Sequence, residues 1–385
     1  TQRPQARLTG MRRDVLTPAA VKADAAAAVR LSDFGSDDFE EGLAVFCRSA
    51  EEDGRLDVVG REVVRAFLRR VLSNRLLLVE HRKHRSGLPE LLPPLIVLGL
   101  PRTGTTLLHR LLAQDPAAYG PPAWQVWRPL PRLSGPDRRR EVTIRALEAL
   151  RGLSPHLDAK HYQDADEPEE CYHLLDPSFR GPGLTMLCQA RSFFDWVRRQ
   201  DIRPAYRMYH EYLRILQQSA PEKRLTLKAP LHTPYMEEIA AEIPGVRFVQ
   251  THRDPAQVAG SMASLAYSMF AVTSPDVDPR TLRPLILDLL RWMADTCMQQ
   301  RDRTALPVVD VRYRDLVADP VAVVRRIHES HGLPWTPAVE RAVTAGAEKR
   351  KQHKQGRHEY ELSDFGLDEA AIRSALAPYI DRFLA

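Results

Sequence analysis

A short loop in the first third of the chain carries groups that suit an oxyanion. Its residues are Pro101, Arg102, Thr103, Gly104, Thr105 and Thr106. The glycine allows a tight turn that points backbone N–H groups inward, and the start of a following helix adds unpaired N–H donors with partial positive charge. The threonine hydroxyls and the permanent cation of the arginine complete a cradle for phosphate or sulfate. The alternative is an ordinary turn between strand and helix, in which the glycine serves only backbone geometry.

The loop has the spacing of a Walker A sequence but lacks its lysine. Thr105 stands where GxxxxGK[ST] has lysine, and an NTPase needs that lysine on the transferred phosphates. A sulfuryl group carries less negative charge than a terminal phosphoryl group, so arginine and backbone donors can suffice there without a metal. A P-loop nucleotide kinase is an alternative, because the segment Val308-Val309-Asp310 mimics a Walker B strand.

A second group of residues suited to an anion follows a later apolar stretch. Arg253 ends the predicted strand, and Asp254 and Pro255 suit the cap and first position of the next helix. Arg253 and Ser261 can hold one phosphate from two sides at the carboxyl edge of the sheet, where open α/β sheets bind ligands. The alternative is a surface ion pair between Arg253 and Asp254. Two anion sites on one edge imply a ligand with two anionic ends.

The elements that must position these loops are predicted from hydrophobic periodicity. Buried strands are expected at residues 95–100, 225–228, 246–251 and 308–311, with helical patterns between them. This alternation predicts an α/β fold with a P-loop-like, mostly parallel sheet flanked by helices. Residues 1–92 are predicted to form a helical N-terminal region, and residues 93–385 the main domain. Within that domain, residues 120–220 are expected to form a helical cap over the acceptor site.

The motifs together resemble the PAPS-dependent sulfotransferase superfamily (PAPS is 3′-phosphoadenosine 5′-phosphosulfate), and in particular its bacterial branch. The shared segments are GLPRTGTTLLH at 99–109, LKAPLH at 227–232, THRDP at 251–255, YRDL at 313–316 and GRHEYELSDFGL at 356–367. The resemblance covers residues 93–380. The eight-residue separation of Arg253 and Ser261 is that of the family. YRDL departs from the family pattern, since it has arginine in place of glutamate.

The resemblance implies transfer of a sulfuryl group from PAPS to an acceptor hydroxyl, with release of PAP and without a metal. It implies that residues 101–106 bind the 5′-phosphosulfate and that Arg253 and Ser261 bind the 3′-phosphate. Lys228, in LKAPLH, would contact the bridging oxygen of the donor. Further donor contacts are implied for three residues of the last two motifs: Tyr313, Gly356 and Arg357.

Arg102 occupies the loop position at which the cytosolic animal members of the superfamily carry lysine. Arg102 keeps the positive charge but cannot readily donate a proton to a leaving group. Its role in catalysis would therefore be electrostatic.

The acceptor hydroxyl needs a base, and an acidic segment offers one. A helix is expected to begin at Pro168, and the acidic residues around it can simply favour the helix dipole. Glu170 shares a helix face with Leu174 and should lean toward the protein body, where a carboxylate would have a raised pKa. Glu170 is therefore the preferred base. The alternatives are Glu167, Glu169, His109 and His232, the last of which the LKxPxH match also assigns to catalysis.

The bulk composition of the 385 residues argues against several classes of protein. The net charge is only +5, and no basic face carries interleaved aromatic residues, so nucleic-acid binding is not expected. No apolar run approaches the ~18 residues that a membrane span needs. Scattered cysteines and a polar, basic N-terminus predict a cytoplasmic protein without a secretory signal.

The partner is expected to be a small molecule with a hydroxyl group, and its identity and the oligomeric state are left open. One set of aromatic residues suggests either an apolar acceptor pocket or ordinary core packing: Trp124, Trp127, Phe193, Phe194 and Trp196. A nucleotide-binding module without catalysis is the remaining alternative.

Overall fold

A five-stranded parallel sheet organises the chain. The computed structural model describes residues 15–84, 87–155, 157–274, 276–349 and 361–385. The strands are β1 (Leu95–Gly99), β2 (Ala118–Tyr119), β3 (Arg224–Lys228), β4 (Arg247–His252) and β5 (Val308–Arg312). They lie in the order β2-β3-β1-β4-β5, and every neighbouring pair is parallel. The chain leaves β1 toward β2 on one side and later adds β4 on the other, so the crevice at the carboxyl ends of β1 and β4 is a topological switch point.

Helices cover both faces of the sheet. Before β3 they are α1 (Pro18–Val29), α2 (Glu40–Glu52), α3 (Val58–His84), α4 (Thr105–Leu112), α5 (Ala123–Trp127), α6 (Arg139–Leu153), α7 (Leu157–Lys160), α8 (Arg191–Val197) and α9 (Arg203–Gln217). They continue as α10 (Met236–Glu242), α11 (Pro255–Thr273), α12 (Arg283–Arg303), α13 (Tyr313–Ala318), α14 (Pro320–Ser330), α15 (Pro337–Lys349), α16 (Glu369–Ala375) and α17 (Ala377–Phe383).

The central strand β1 is buried on both faces, as its continuous apolar run predicts. Ile96 and Leu98 pack in one core with tyrosines of α9 and leucines of α3. Leu95 and Val97 pack in another core with α4, α14 and α15. Because successive residues of a strand point to opposite faces, these two layers hold the loop after β1 in place.

The N-terminal helices share a hydrophobic core with part of the cap region. Phe46 of α2 lies edge-on to Phe193 of α8, with ring centroids 5.2 Å apart. Phe179 and Leu184 belong to the same cluster as residues of α1 to α3. The region before residue 93 therefore packs directly on the segment that was expected to form the cap, while the boundary drawn at residue 93 stays a prediction.

The predicted strands agree with the observed ones to within about a residue, as expected for element bounds, and β2 at the sheet edge was not predicted. The prediction that a helix begins at Pro168 was wrong. Pro168 instead makes an antiparallel bridge with Pro122, which keeps this backbone extended. One 3-10 turn follows at Cys171–Leu174, and Glu170 is its N-cap residue. Pairing with a distant segment decided the conformation here, which local sequence could not reveal.

Two properties of the structure concern membrane-spanning helices and the state of the cysteines. In the described part of the protein, no helix is long and apolar enough to cross a membrane. All four cysteines are buried free thiols.

Candidate active site

The loop after β1 adopts a conformation that its residue types only partly favour. Gly104 has φ +93°, and a Cβ atom there would lie 2.8 Å from a ring carbon of Tyr313. Arg102 has φ +68°, in the left-handed region that costs a non-glycine residue roughly 1–2 kcal/mol. Helix α4 begins directly after Gly104, at Thr105. The loop therefore presents the unpaired N–H groups of a helix start beside a strained arginine.

The side chain of Thr103 anchors the loop. Its buried side chain donates a hydrogen bond of 2.6 Å to the carbonyl oxygen of Leu100. Its hydroxyl oxygen also lies 2.6 Å from that of Thr251 on β4. Thr103 ties the loop to the neighbouring strand, and its hydroxyl does not line the cavity described below.

The two predicted anion sites meet. The Nη1 group of Arg253 donates to the carbonyl oxygen of Arg102 at 3.1 Å, and Nε of Arg102 donates to Oγ of Ser261 at 3.0 Å. Asp254 caps α11 by accepting from the N–H of Ala256, with proline in the first turn, as predicted. The expected alternative of an Arg253–Asp254 ion pair does not occur, because Asp254 pairs with Arg373.

Tyr313 completes the floor beside these cations. It is the first residue of α13, directly after β5, and the guanidinium of Arg253 lies 4.3 Å from its ring centroid. This cation–π contact holds Arg253 at the carboxyl edge of the sheet. Gly356 and Arg357, the other two residues implied by the resemblance, lie outside the described residues.

A buried lysine from β3 reaches the loop after β1. Lys228 is 1% exposed, and its ammonium group donates to Oε1 of Glu170 at 2.6 Å and to Oγ1 of Thr106 at 3.2 Å. A lysine thus lies beside the loop although the loop sequence lacks one, because β3 pairs with β1 and ends next to it.

The surrounding cavity has a volume of about 220 Å³ and opens at the switch point. Its lining residues are Pro101, Arg102, Gly104, Thr105, Thr106, His161, Glu170, Tyr172, Met186, Pro230, Leu231, Arg253, Met262, Leu265, Met269 and Tyr313. Ser261 accepts a hydrogen bond from Arg102 of this lining, and Lys228 donates one to Glu170. Among the described residues, no group of three or more His, Cys, Asp or Glu side chains could hold a metal ion.

Of the carboxylates considered as bases, only Glu170 lines the cavity. Glu167 forms an ion pair with Arg110. Glu169 is buried and accepts hydrogen bonds from Gln163 and from the N–H of Glu170. Burial raises the pKa of the Glu169 carboxyl, but Lys228, His161, His173 and the N–H of Glu170 together outweigh this, so the pKa is lowered overall.

The two histidines considered as bases lie outside the cavity. His109 is fully buried on α4, with Nε2 2.9 Å from the carbonyl oxygen of Thr226. His232 is also fully buried, and its ring nitrogens lie 2.9 Å from the hydroxyl of Tyr206 and 3.3 Å from the sulfur of Cys171. Burial lowers the pKa of each imidazole to about 3. Both are neutral residues placed by the core.

His161 lines the cavity and was not singled out from the sequence. Burial lowers the pKa of its imidazole, as do the charges of Lys228 and Arg102, whereas Glu169 and Glu170 raise it. Its position in an irregular segment after α7 carries no motif. Only the folding of that segment back over the sheet edge brings it to the loop.

The apolar wall of the cavity also differs from the expected one. None of the five Trp and Phe residues proposed for an acceptor pocket lines it, and Phe193 and Phe194 lie in hydrophobic cores. The wall comprises Met186, Leu231, Met262, Leu265 and Met269. Three of these recur at helical spacing just after Ser261 on α11, and that periodicity was the available signal.

Comparison with known proteins agrees with this geometry. The model of the sulfotransferase family matches residues 93–337. Two curated relatives, from Mycobacterium bovis and Mycobacterium tuberculosis, are both named omega-hydroxy-beta-dihydromenaquinone-9 sulfotransferase Stf3. Each is 27% identical over 257 residues, which is 63% of this chain and 63% of the relative's length.

Two solved structures are similar over nearly the whole chain. Sulfotransferase STF1 from M. tuberculosis H37Rv has a TM-score of 0.79 and 30% identity, covering 95% of this chain and 100% of that one. Sulfotransferase STF9 from Mycobacterium avium has a TM-score of 0.83 and 27% identity, covering 97% and 98%. The chain belongs to the sulfotransferase family. The predicted family and the predicted α/β fold with a parallel sheet are confirmed.

Proposed function

We propose that the protein transfers a sulfuryl group from PAPS to the hydroxyl of an apolar small molecule. The observation that carries the proposal is the convergence of Arg102, Arg253 and Ser261 at one edge of the sheet. A nucleotide with phosphates at both ends of its ribose needs two anion sites within reach of each other. Membership of the sulfotransferase family supports the same donor.

In this proposal, the residues beyond the end of β4 hold the 3′-phosphate. Arg253 presents a guanidinium already oriented by Tyr313 and Gln257. Ser261, on α11, would add a hydroxyl group to the same phosphate. A planar guanidinium can bind two phosphate oxygens at once. The cavity of about 220 Å³ suits the reacting groups, so the nucleoside would extend from it past Arg253.

The reacting centre lies between the loop and Glu170. PAPS supplies the activated sulfuryl group when bound. The loop N–H groups, Arg102 and Thr106 would hold its oxygens, and Lys228 would stabilise negative charge on the leaving phosphate. The acceptor oxygen attacks sulfur as the bond from sulfur to the bridging oxygen breaks, releasing PAP. Glu170 would take the acceptor proton, because it is the carboxylate candidate that lines the cavity.

The acceptor is proposed to be apolar around its hydroxyl. Met186, Leu265 and Met269 line the cavity beside Glu170, and methionine adapts its shape to irregular apolar ligands. The relatives named above act, by their names, on a hydroxylated menaquinone. Sulfation of geraniol, an apolar primary alcohol, should therefore be faster than sulfation of glucose at equal concentration. A clear preference for glucose would exclude an apolar acceptor, and the assignment of PAPS as the donor would remain unaffected.

The free thiols of all four cysteines suit a reducing compartment. We therefore propose that the reaction takes place in the cytoplasm.

The kinase alternative has little geometric support. Asp310, which would hold Mg²⁺ in a Walker B strand, is paired with Arg301 and His252. Burial raises the pKa of its carboxyl, but the hydrogen bonds from His252 and Arg301 and the charge of Arg301 outweigh it and lower the pKa. Mg²⁺-dependent turnover of ATP would nevertheless revive the kinase assignment.

The donor assignment is tested by calorimetric titration with PAP and AMP. PAP should bind more tightly than AMP, and Arg253→Gln should weaken PAP by about 10- to 100-fold because a charge-assisted phosphate contact is lost. AMP affinity should not change. The control is Arg247→Gln, at the opposite end of the same strand. Equal affinities for PAP and AMP in the wild-type protein would contradict the assignment.

A further inference from the structure

A second cavity, of about 850 Å³, lies between α3, the segment after α5 and the start of α6. It shares no lining residue with the candidate active site. Aromatic side chains lie between the two. Tyr172, in the active-site lining, has its ring centroid 4.1 Å from that of His173, which lies 5.8 Å from that of Trp127. We call this second space the arginine cavity.

The lining of the arginine cavity is strongly cationic. Its arginines are Arg69, Arg70, Arg128, Arg132, Arg138 and Arg139. Against these six stand two aspartates, Asp24 and Asp137. Asp137 is paired with Arg139, and Asp24 with Arg65 outside the lining. Among the residues that the structure describes, the other five lining arginines have no carboxylate partner.

Two of these cations are held in place by buried structure. Arg70 is only 9% exposed; its Nη1 donates to the carbonyl oxygen of Trp127 at 3.1 Å, and its guanidinium lies 4.4 Å from the ring centroid of Phe67. The Nε group of Arg128 is buried and has no hydrogen-bond partner among the described residues. Burial and the charges of Arg70, Arg132 and Arg69 lower the pKa of Arg128 to about 10, so it stays charged at neutral pH.

The backbone adds further positive character at the same place. Helix α6 begins at the cavity, with Arg138 as N-cap residue and no side-chain capping bond from it. The N-terminus of a 15-residue helix carries partial positive charge. Natural proteins rarely gather guanidinium groups around a helix start without an anion, because each raises the electrostatic energy of the others.

We infer that the arginine cavity binds a phosphate or diphosphate group of a ligand other than the sulfuryl donor. Guanidinium groups pair with phosphate oxygens in a planar, bidentate geometry that several arginines can supply together. The volume admits a group larger than one phosphate. The inference does not rest on the proposed sulfuryl transfer, since none of its residues belongs to that site.

The source of the phosphate can be a soluble molecule or a lipid headgroup. Val142 lines the cavity and is 38% exposed, and Leu133, next to Arg132, is 61% exposed. These are two of the four exposed large hydrophobic residues of the described chain. An amphiphile could place its headgroup among the arginines and its chain on these residues.

The test uses the full chain and inorganic pyrophosphate, titrated by calorimetry in the presence of saturating PAP. The wild-type protein should bind pyrophosphate. The double variant Arg69→Gln/Arg132→Gln, at two exposed positions, should bind it at least about tenfold more weakly. The matched control Arg48→Gln/Arg341→Gln removes the same charge from exposed positions on α2 and α15 and should bind as wild type. Arg128→Gln, with circular dichroism to check folding, should also weaken binding.

A parallel arm distinguishes the two sources. Vesicles of phosphatidylglycerol and phosphatidylcholine are sedimented with each variant, against phosphatidylcholine alone. Retention on the anionic vesicles that the Arg69→Gln/Arg132→Gln variant loses would identify a headgroup, and pyrophosphate binding alone would identify a soluble ligand. The inference is overturned if the wild-type protein binds neither probe, or if the control variant weakens binding as much as the cavity variant. If PAP itself fails to bind, pyrophosphate binding that the cavity variant loses would still support the inference, so failure of the donor assignment is recognised separately.

Discussion

Replacement of Glu170 by glutamine tests the reacting centre most directly. The amide cannot take a proton from the acceptor hydroxyl, so the rate of the transfer step should fall by about 10²- to 10⁴-fold. This corresponds to roughly 2.7–5.4 kcal/mol of transition-state stabilisation. PAP affinity should change little, because Arg253, Ser261 and the loop all remain.

Glutamine is chosen because Glu170 also pairs with the buried ammonium of Lys228, at 2.6 Å. Alanine would leave a lysine that is 1% exposed without its counter-charge, at a cost of about 3–5 kcal/mol. Glutamine keeps an oxygen for the ammonium group and exchanges a charge-assisted hydrogen bond for a weaker one, at a cost of about 1–2 kcal/mol. The variant should therefore fold, with a modestly lowered melting temperature.

The assay is single-turnover transfer of radiolabelled sulfate from PAPS to an apolar alcohol, followed by rapid quench. Calorimetry with PAP and thermal unfolding are measured on the same preparations. Glu167→Gln is the matched control, because Glu167 pairs with Arg110 and does not line the cavity. It should retain the wild-type rate.

The base assignment would be refuted by a Glu170→Gln variant that transfers sulfate at the wild-type rate. A loss of PAP affinity as large as the loss of rate would equally contradict it, because the residue would then act on donor binding. His161→Gln, at the lining histidine that sequence reasoning missed, should lose less activity than Glu170→Gln.

Two further predictions concern the loop and acid stability. Gly104→Ala should lower both the melting temperature and PAP affinity, since φ is +93° and the new Cβ would lie 2.8 Å from an aromatic ring. The control is Gly152→Ala on α6, where no atom lies within 4 Å of the added Cβ. That variant should be neutral or slightly stabilising. Burial holds the pKa of His109 and His232 near 3, below the pKa of an unfolded histidine. As the pH falls below the unfolded pKa, the unfolded state binds more protons than the folded state, so the stability of the protein should fall as the pH falls. Each histidine should cost about 2 kcal/mol at pH 5 relative to pH 7, and His109→Gln should give a shallower slope of melting temperature against pH between 7 and 5. A slope unchanged by that variant would contradict the assignment of a buried, neutral His109.

Local sequence was sufficient wherever a site is built from one strand and the turn that follows it. The loop at 101–106 and the start of α11 were predicted because apolar runs, a glycine, a capping aspartate and a proline act over a few residues. Lys228 was assigned through the resemblance of LKAPLH to the family motif, at the end of a predicted strand. The base candidates could be narrowed only to five, because a carboxylate or imidazole carries no local sign of what it faces.

What only the tertiary structure decided are the features that join distant segments. The bridge between Pro122 and Pro168 replaced an expected helix, and the same folding brought His161 and Glu170 to the loop and sent His109 and His232 into the core. Of the two interpretations left open for the aromatic residues, packing outside the cavity holds, and methionine and leucine side chains form the apolar wall. Six arginines from α3, the segment after α5 and the start of α6 meet in one cavity. Sequence by itself predicted the parallel sheet and its two candidate anion sites, since these follow from the order of residues along the chain. Which side chains share a space depends on packing between elements far apart in sequence, and periodicity does not encode that.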